Sequence, residues 1–105
     1  MKTYKVVYSL EAISDLDAIY YNIAVNSCEP IIAGNFIRKI KIAVESLNTF
    51  PNRYQLFDQL FNVTGVIRRL PINGYIIVYK VNEPARIVEI IRIISCKRDL
   101  TRIVN

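Results

Sequence analysis

Val66-Ile67-Arg68-Arg69-Leu70-Pro71-Ile72-Asn73-Gly74-Tyr75-Ile76-Ile77-Val78-Tyr79-Lys80-Val81 places two β-branched, apolar runs on either side of a Pro-Ile-Asn-Gly stretch. Such runs separated by Asn-Gly predict an antiparallel hairpin, because Asn and Gly tolerate the positive φ that a tight turn between strands requires. Arg68 and Arg69 fall near the mouth of that hairpin. A second turn, Asn82-Glu83-Pro84-Ala85, leads into Ile87-Val88-Glu89-Ile90-Ile91-Arg92-Ile93-Ile94, whose composition predicts a third strand and therefore a meander. A sheet this apolar needs cover, and the first half of the chain has the pattern to supply it.

Tyr4-Lys5-Val6-Val7-Tyr8 alternates as a short strand, with Tyr4, Val6 and Tyr8 on one face. Ser9 is a helix N-cap, and from there the apolar period changes. Ile13, Leu16, Ile19, Tyr20 and Ile23 form a helical stripe, with Glu11, Asp15 and Asp17 in the early turns where carboxylates suit the helix dipole. The pattern breaks over Val25 to Pro30, and Pro30 is placed to open a second helix at its first position. Ala33, Phe36, Ile37, Ile40, Val44 and Leu47 make its stripe, and Asn48-Thr49-Phe50-Pro51 ends it. Asn52 to Asn62 keeps neither period and reads as a short strand or an irregular loop. The tail from Asp99 to Asn105 reads as one capped helical turn or a frayed end. The predicted class is α+β: an N-terminal strand and a two-helix hairpin packed on one face of a twisted, mainly antiparallel sheet. Ile77, Tyr79, Val88 and Ile90 are expected to lie buried among Leu16, Ile40 and Val44.

A chain of 105 residues, 52% of them hydrophobic, is long enough to form one domain over residues 1–105 without a metal or disulfide staple. No apolar run is long enough to span a membrane, and the N-terminus lacks the regions of a signal peptide, so the cytoplasm is the expected compartment and no membrane partner is expected. Cys28 and Cys96 are widely separated and read as reduced thiols, Cys96 packed at the end of the last strand. There is no histidine and there are only three glycines, which removes the commonest general base and the material of a phosphate-binding loop. No cofactor and no metal is expected.

The net charge of +5 is distributed unevenly: residues 1–52 balance five basic against five acidic side chains, whereas 53–105 set nine against four. An excess confined to the sheet half suits a polyanionic partner, nucleic acid or an acidic protein segment, and equally a solvated basic face. The candidate binding residues are Arg53, Arg68, Arg92, Lys97 and Arg98, since guanidinium groups match phosphate and carboxylate geometry. Adjacent strand residues point to opposite faces, so Arg68 and Arg69 do not look into one site. Tyr75 and Tyr79 share a face with Ile77 and Val81, as core packing requires.

Across nearly its whole length, from Tyr4 to about Asp99, the sequence resembles the RelE/ParE family, the toxins of bacterial type II toxin–antitoxin modules. The features that carry this are the strand running into a helix (Tyr4 to Tyr21), a second helix ending in Leu47-Asn48-Thr49-Phe50-Pro51, Arg69-Leu70-Pro71 followed by Tyr75-Ile76-Ile77-Val78-Tyr79, and Ile93-Ile94-Ser95-Cys96-Lys97-Arg98-Asp99. The resemblance implies a cognate acidic antitoxin, with which the chain forms a hetero-oligomer, and one of two targets. In the RelE-like branch the target is messenger RNA on the ribosome, and Arg69 and Arg98 match the arginines that serve cleavage, with Lys97 and Tyr75 as helpers. The late tyrosine or histidine of that branch has no counterpart here. Members of the ParE-like branch inhibit DNA gyrase and need no catalytic group; the Arg-Leu-Pro-x-x-x-Tyr-Ile-Ile-x-Tyr run is closer to that style. The expected function is therefore that of a growth-arresting toxin acting on gyrase, with ribosome-dependent endoribonuclease as the alternative. A non-toxic basic module that binds nucleic acid or protein is the second alternative.

Overall fold

The computed structural model describes residues 3–57 and 65–96. The chain runs through strand β1 (Lys5–Tyr8), helices α1 (Leu10–Ser27) and α2 (Pro30–Glu45), two short 3-10 turns at Ser46–Asn48 and Pro51–Arg53, and strands β2 (Ile67–Ile72), β3 (Tyr75–Asn82) and β4 (Ile87–Ser95). The sheet order is β1-β4-β3-β2. The antiparallel meander is the one the sequence predicts. Asn73 and Gly74 alone connect β2 to β3, at φ 45° and 87°, the mirror-image turn whose twist matches that of the flanking strands. Pro71 is accommodated because β2 lies at the edge of these four strands. β1 joins the other side, parallel to β4, from Lys5 opposite Ile87 to Tyr8 opposite Ile90.

Ser9 caps α1 as expected. Its Oγ accepts the Ala12 N–H at 3.0 Å and donates to the carbonyl of Ile91 at 2.8 Å, so one side chain starts the helix and ties it to β4. The helix continues further than the sequence suggests. Val25, Asn26 and Ser27 are helical and only Cys28 and Glu29 link the two helices. Ser27 Oγ holds this last turn by donating to Ile23 O at 2.7 Å and accepting Glu29 N–H at 3.2 Å, and Cys28 at φ 57° reverses the chain. Pro30 then opens α2.

The helix side of the sheet carries the larger core. Leu16 and Ile19 of α1, Ile40 and Val44 of α2, and Leu70, Ile77, Tyr79, Val88, Ile90 and Ile93 of the sheet are buried together. The opposite face is apolar as well: Phe57, Ile67, Ile76, Val78 and Ile94 are buried there. Between these faces β4 is irregular. Val78 pairs with Arg92 but Tyr79 with Ile90, which leaves Ile91 as an extra residue and makes a β-bulge. Because of it, Ile90 and Ile93, three apart, both belong to the helix-side core.

Of the least legible segment, Pro51–Arg53 forms a 3-10 turn and Leu56 makes an isolated antiparallel bridge to Arg68. Residues 58–62 and the tail from Asp99, for which a strand or loop and a helical turn are expected, lie outside the described residues.

Candidate functional site

Arg68 and Arg69 lie on β2 opposite Tyr79 and Val78 of β3, and those two partners belong to different faces of the sheet. The arginines therefore diverge, as strand alternation requires. Each is bonded to the segment that leads up to the bridge. Arg68 Nη1 donates to Tyr54 O at 2.7 Å, Arg69 Nη2 donates to Gln55 Oε1 at 2.8 Å, and the Arg69 N–H donates to Gln55 O at 3.0 Å. The pair thus grips one strand-like segment from two faces.

Arg53 closes the end of α2. Its Nη1 donates to the carbonyls of Thr49 at 2.6 Å and Phe50 at 2.9 Å, and its Nη2 to Ser46 O and Oγ at 3.3 and 3.2 Å. The guanidinium also lies 4.7 Å from the Tyr54 ring centre, within cation–π range. Carbonyls at a helix C-terminus lack intrahelical donors, and a cation there suits the dipole. Close by, the buried Tyr79 hydroxyl donates to Pro51 O. Burial pushes the Tyr79 phenol up to about 12, against the lowering pull of Arg68 and Arg53. Glu83, in the turn between β3 and β4, completes this corner: Oε1 accepts from the Tyr4 hydroxyl at 2.7 Å and Oε2 from Asn52 at 2.8 Å. The bond to Glu83 raises the Tyr4 phenol above its ordinary value.

Arg92 is bonded to Asp15 of α1, Nε to Oδ2 at 2.8 Å and Nη2 to Oδ1 at 3.0 Å. The sequence predicts Asp15 in the early turns of a helix, and nothing in its spacing points to Arg92. Tyr75 packs its ring against Phe36 of α2, centres 5.6 Å apart. Lys97 and Arg98 lie outside the described residues. Among the described residues no group of three or more Cys, Asp or Glu side chains is gathered as a metal site would require, and no helix is long and apolar enough to cross a membrane.

The helices form a groove of about 310 Å³ lined by Tyr8, Ile13, Leu16, Tyr20 and Ile37, with Asp17 and Lys41 as its charged members. Ile13 is 46% and Tyr20 41% exposed, so the groove presents apolar surface beside one charge of each sign. Of these, Ile13, Leu16, Tyr20 and Ile37 belong to the apolar stripes that helical periodicity predicts.

A family model described as the ParE toxin of type II toxin–antitoxin systems, parDE, matches residues 6–100. The fold is similar to the chromosomal ParDE toxin–antitoxin system of P. aeruginosa, with a TM-score of 0.75 and 22% identity over 92% of this chain and 100% of that one. It is also similar to the RelBE2 toxin–antitoxin complex of Mycobacterium tuberculosis, with a TM-score of 0.60 and 20% identity over 90% and 93% of the two chains. The archaeal RelE–RelB complex of Pyrococcus horikoshii OT3 gives a TM-score of 0.53 and 17% identity over 91% and 98%. No curated protein matches the sequence.

Proposed function

Because the chain belongs to the ParE toxin family of type II toxin–antitoxin systems, we propose that it arrests growth by binding and inhibiting DNA gyrase and that a cognate antitoxin neutralises it. The supporting observation is the absence of histidine from the chain, together with the bond that already engages Arg69, from Nη2 to Gln55 Oε1. Cleavage of a phosphodiester requires donors converging on one phosphate and a group that moves a proton. Here Arg69 is bonded to Gln55 Oε1 and the chain has no histidine. Inhibition by binding needs neither convergence nor proton transfer; it needs a shaped surface with a few well-anchored side chains.

An antitoxin segment fits the groove on the helices. Apolar residues of such a segment would cover Ile13 and Tyr20, and its acidic residues would lie near the basic half of the chain, giving a toxin–antitoxin hetero-oligomer. Its association rate then falls as salt rises.

The test uses purified components. The chain should block supercoiling by DNA gyrase and leave messenger on programmed ribosomes intact. Codon-spaced messenger fragments with unaffected supercoiling would move the chain to the endoribonuclease reading, and unchanged growth on induction would leave only a binding module.

A further inference from the structure

The groove on the helices is lined from one side by Ile13, Asp17 and Tyr20 of α1 and from the other by Ile37 and Lys41 of α2. Its apolar surface continues outward along α1. Leu10, Ile13, Asp17, Tyr20 and Tyr21 recur at the three- and four-residue spacing of one helix side, and the four apolar members are 83%, 46%, 41% and 68% exposed. Single exposed apolar side chains are ordinary on a protein surface, whereas a contiguous run of large ones marks an interaction site.

The charges select what covers this face. Asp17 and Lys41 are both exposed and line opposite walls of the groove, yet among the described residues no ion pair joins them. The groove is therefore neutral overall and carries one charge of each sign on different helices. An acidic segment laid along it meets Asp17 and a basic one meets Lys41, so neither gains from both charges. A second copy of this chain does. A twofold axis sets a patch against itself, and any contact across it occurs twice in reverse sense. We propose that two copies of this chain associate through this face, with Asp17 of each opposite Lys41 of the other and the apolar side chains of the two α1 helices covering one another. The basic excess of residues 53–105 does not oppose this contact, since none of it is on α1 or α2. The proposal goes beyond the inhibitory reading and does not depend on it. A second copy and an antitoxin segment take the same groove, so each excludes the other.

Sedimentation velocity over a range of concentrations reads the oligomeric state of the full chain, purified alone, beside the variants Asp17→Lys and Lys41→Asp. The wild type should form a dimer that weakens as salt rises. Each single variant sets like charges against each other across the axis and should self-associate about tenfold or more weakly, with thermal unfolding unchanged because both positions are exposed. Mixed in equal amounts, the two variants should recover a dimer of one chain of each, since that pairing restores both oppositely charged contacts. A wild type that stays monomeric overturns the proposal and leaves the groove to an antitoxin segment. A single variant that dimerises as well as wild type, or a mixture that stays monomeric, overturns it in favour of another face. If a single variant unfolds, the double variant with both changes in one chain decides: a dimer supports the proposal and a monomer overturns it.

Discussion

Asp15 Oδ2 accepts from Arg92 Nε at 2.8 Å and from the backbone N–H of Ile93 at 2.9 Å. β1 pairs with β4 only as far as Ile90, and beyond that point α1 takes over the edge: Ser9 Oγ donates to Ile91 O and Asp15 accepts from Ile93. Side chains from a helix thus satisfy backbone groups that a neighbouring strand would otherwise have met.

This arrangement makes the two partners of the ion pair unequal. Arg92 is 41% exposed and Asp15 16%. Replacing Arg92 by Ala removes a half-exposed pair and should cost at most about 1 kcal/mol. Replacing Asp15 by Ala also strips the acceptor from Ile93 N–H and should cost about 1–3 kcal/mol. Urea unfolding of both variants measures the difference; equal losses would assign the energy to the charge pair alone.

Ile40 is fully buried between α2 and the sheet. Its truncation to Ala should lower stability by about 2–5 kcal/mol. A loss of only a few tenths in denaturant titration would mean that α2 does not pack on the sheet in solution.

Tyr79 gives the chain an alkaline limit. Its phenol is held up at about 12 against an ordinary 10.0, so the folded state keeps a proton that the unfolded state releases. The contribution is complete below pH 10 and declines as pH rises through 10 to 12, by roughly 2–3 kcal/mol in all. Tyr79→Phe should cost stability at neutral pH by losing the bond to Pro51 O, and should flatten the decline above pH 10. An identical pH profile for the two proteins would show that another group titrates.

Arg69→Ala and Arg98→Ala separate the two mechanisms. A gyrase inhibitor with a distributed contact should lose toxicity in steps, each change weakening growth arrest without abolishing it. A nuclease would lose on the order of a hundredfold or more from either change. Complete loss from one substitution, with messenger cut inside ribosome-protected codons by the wild type, would reverse the preference for gyrase.

Local signals in the sequence locate most of the elements. The change of apolar period after Ser9, the proline at position 30 and the Asn73-Gly74 pair locate both helices and the hairpin, because period, capping and turn propensity act within a few residues. Alternation likewise separated Arg68 from Arg69, and the missing histidine limited the chemistry from composition alone. Other features had no local sign. Strict alternation along β4 from Ile90 would turn Arg92 and Ile94 toward the helices; the bulge at Ile91 instead brings Ile93 into that core. The bond of Asp15 to Arg92 spans 77 positions, and the left-handed Phe50 is fixed by Arg53, Tyr79 and Asn52 together. The sequence by itself determined where both helices begin, where the hairpin turns and which runs are its strands, whereas only the tertiary structure decided the bridge of Leu56 to Arg68 and which charges are spent as struts, because those outcomes depend on contacts between residues far apart in the chain whose spacing carries no periodic signal.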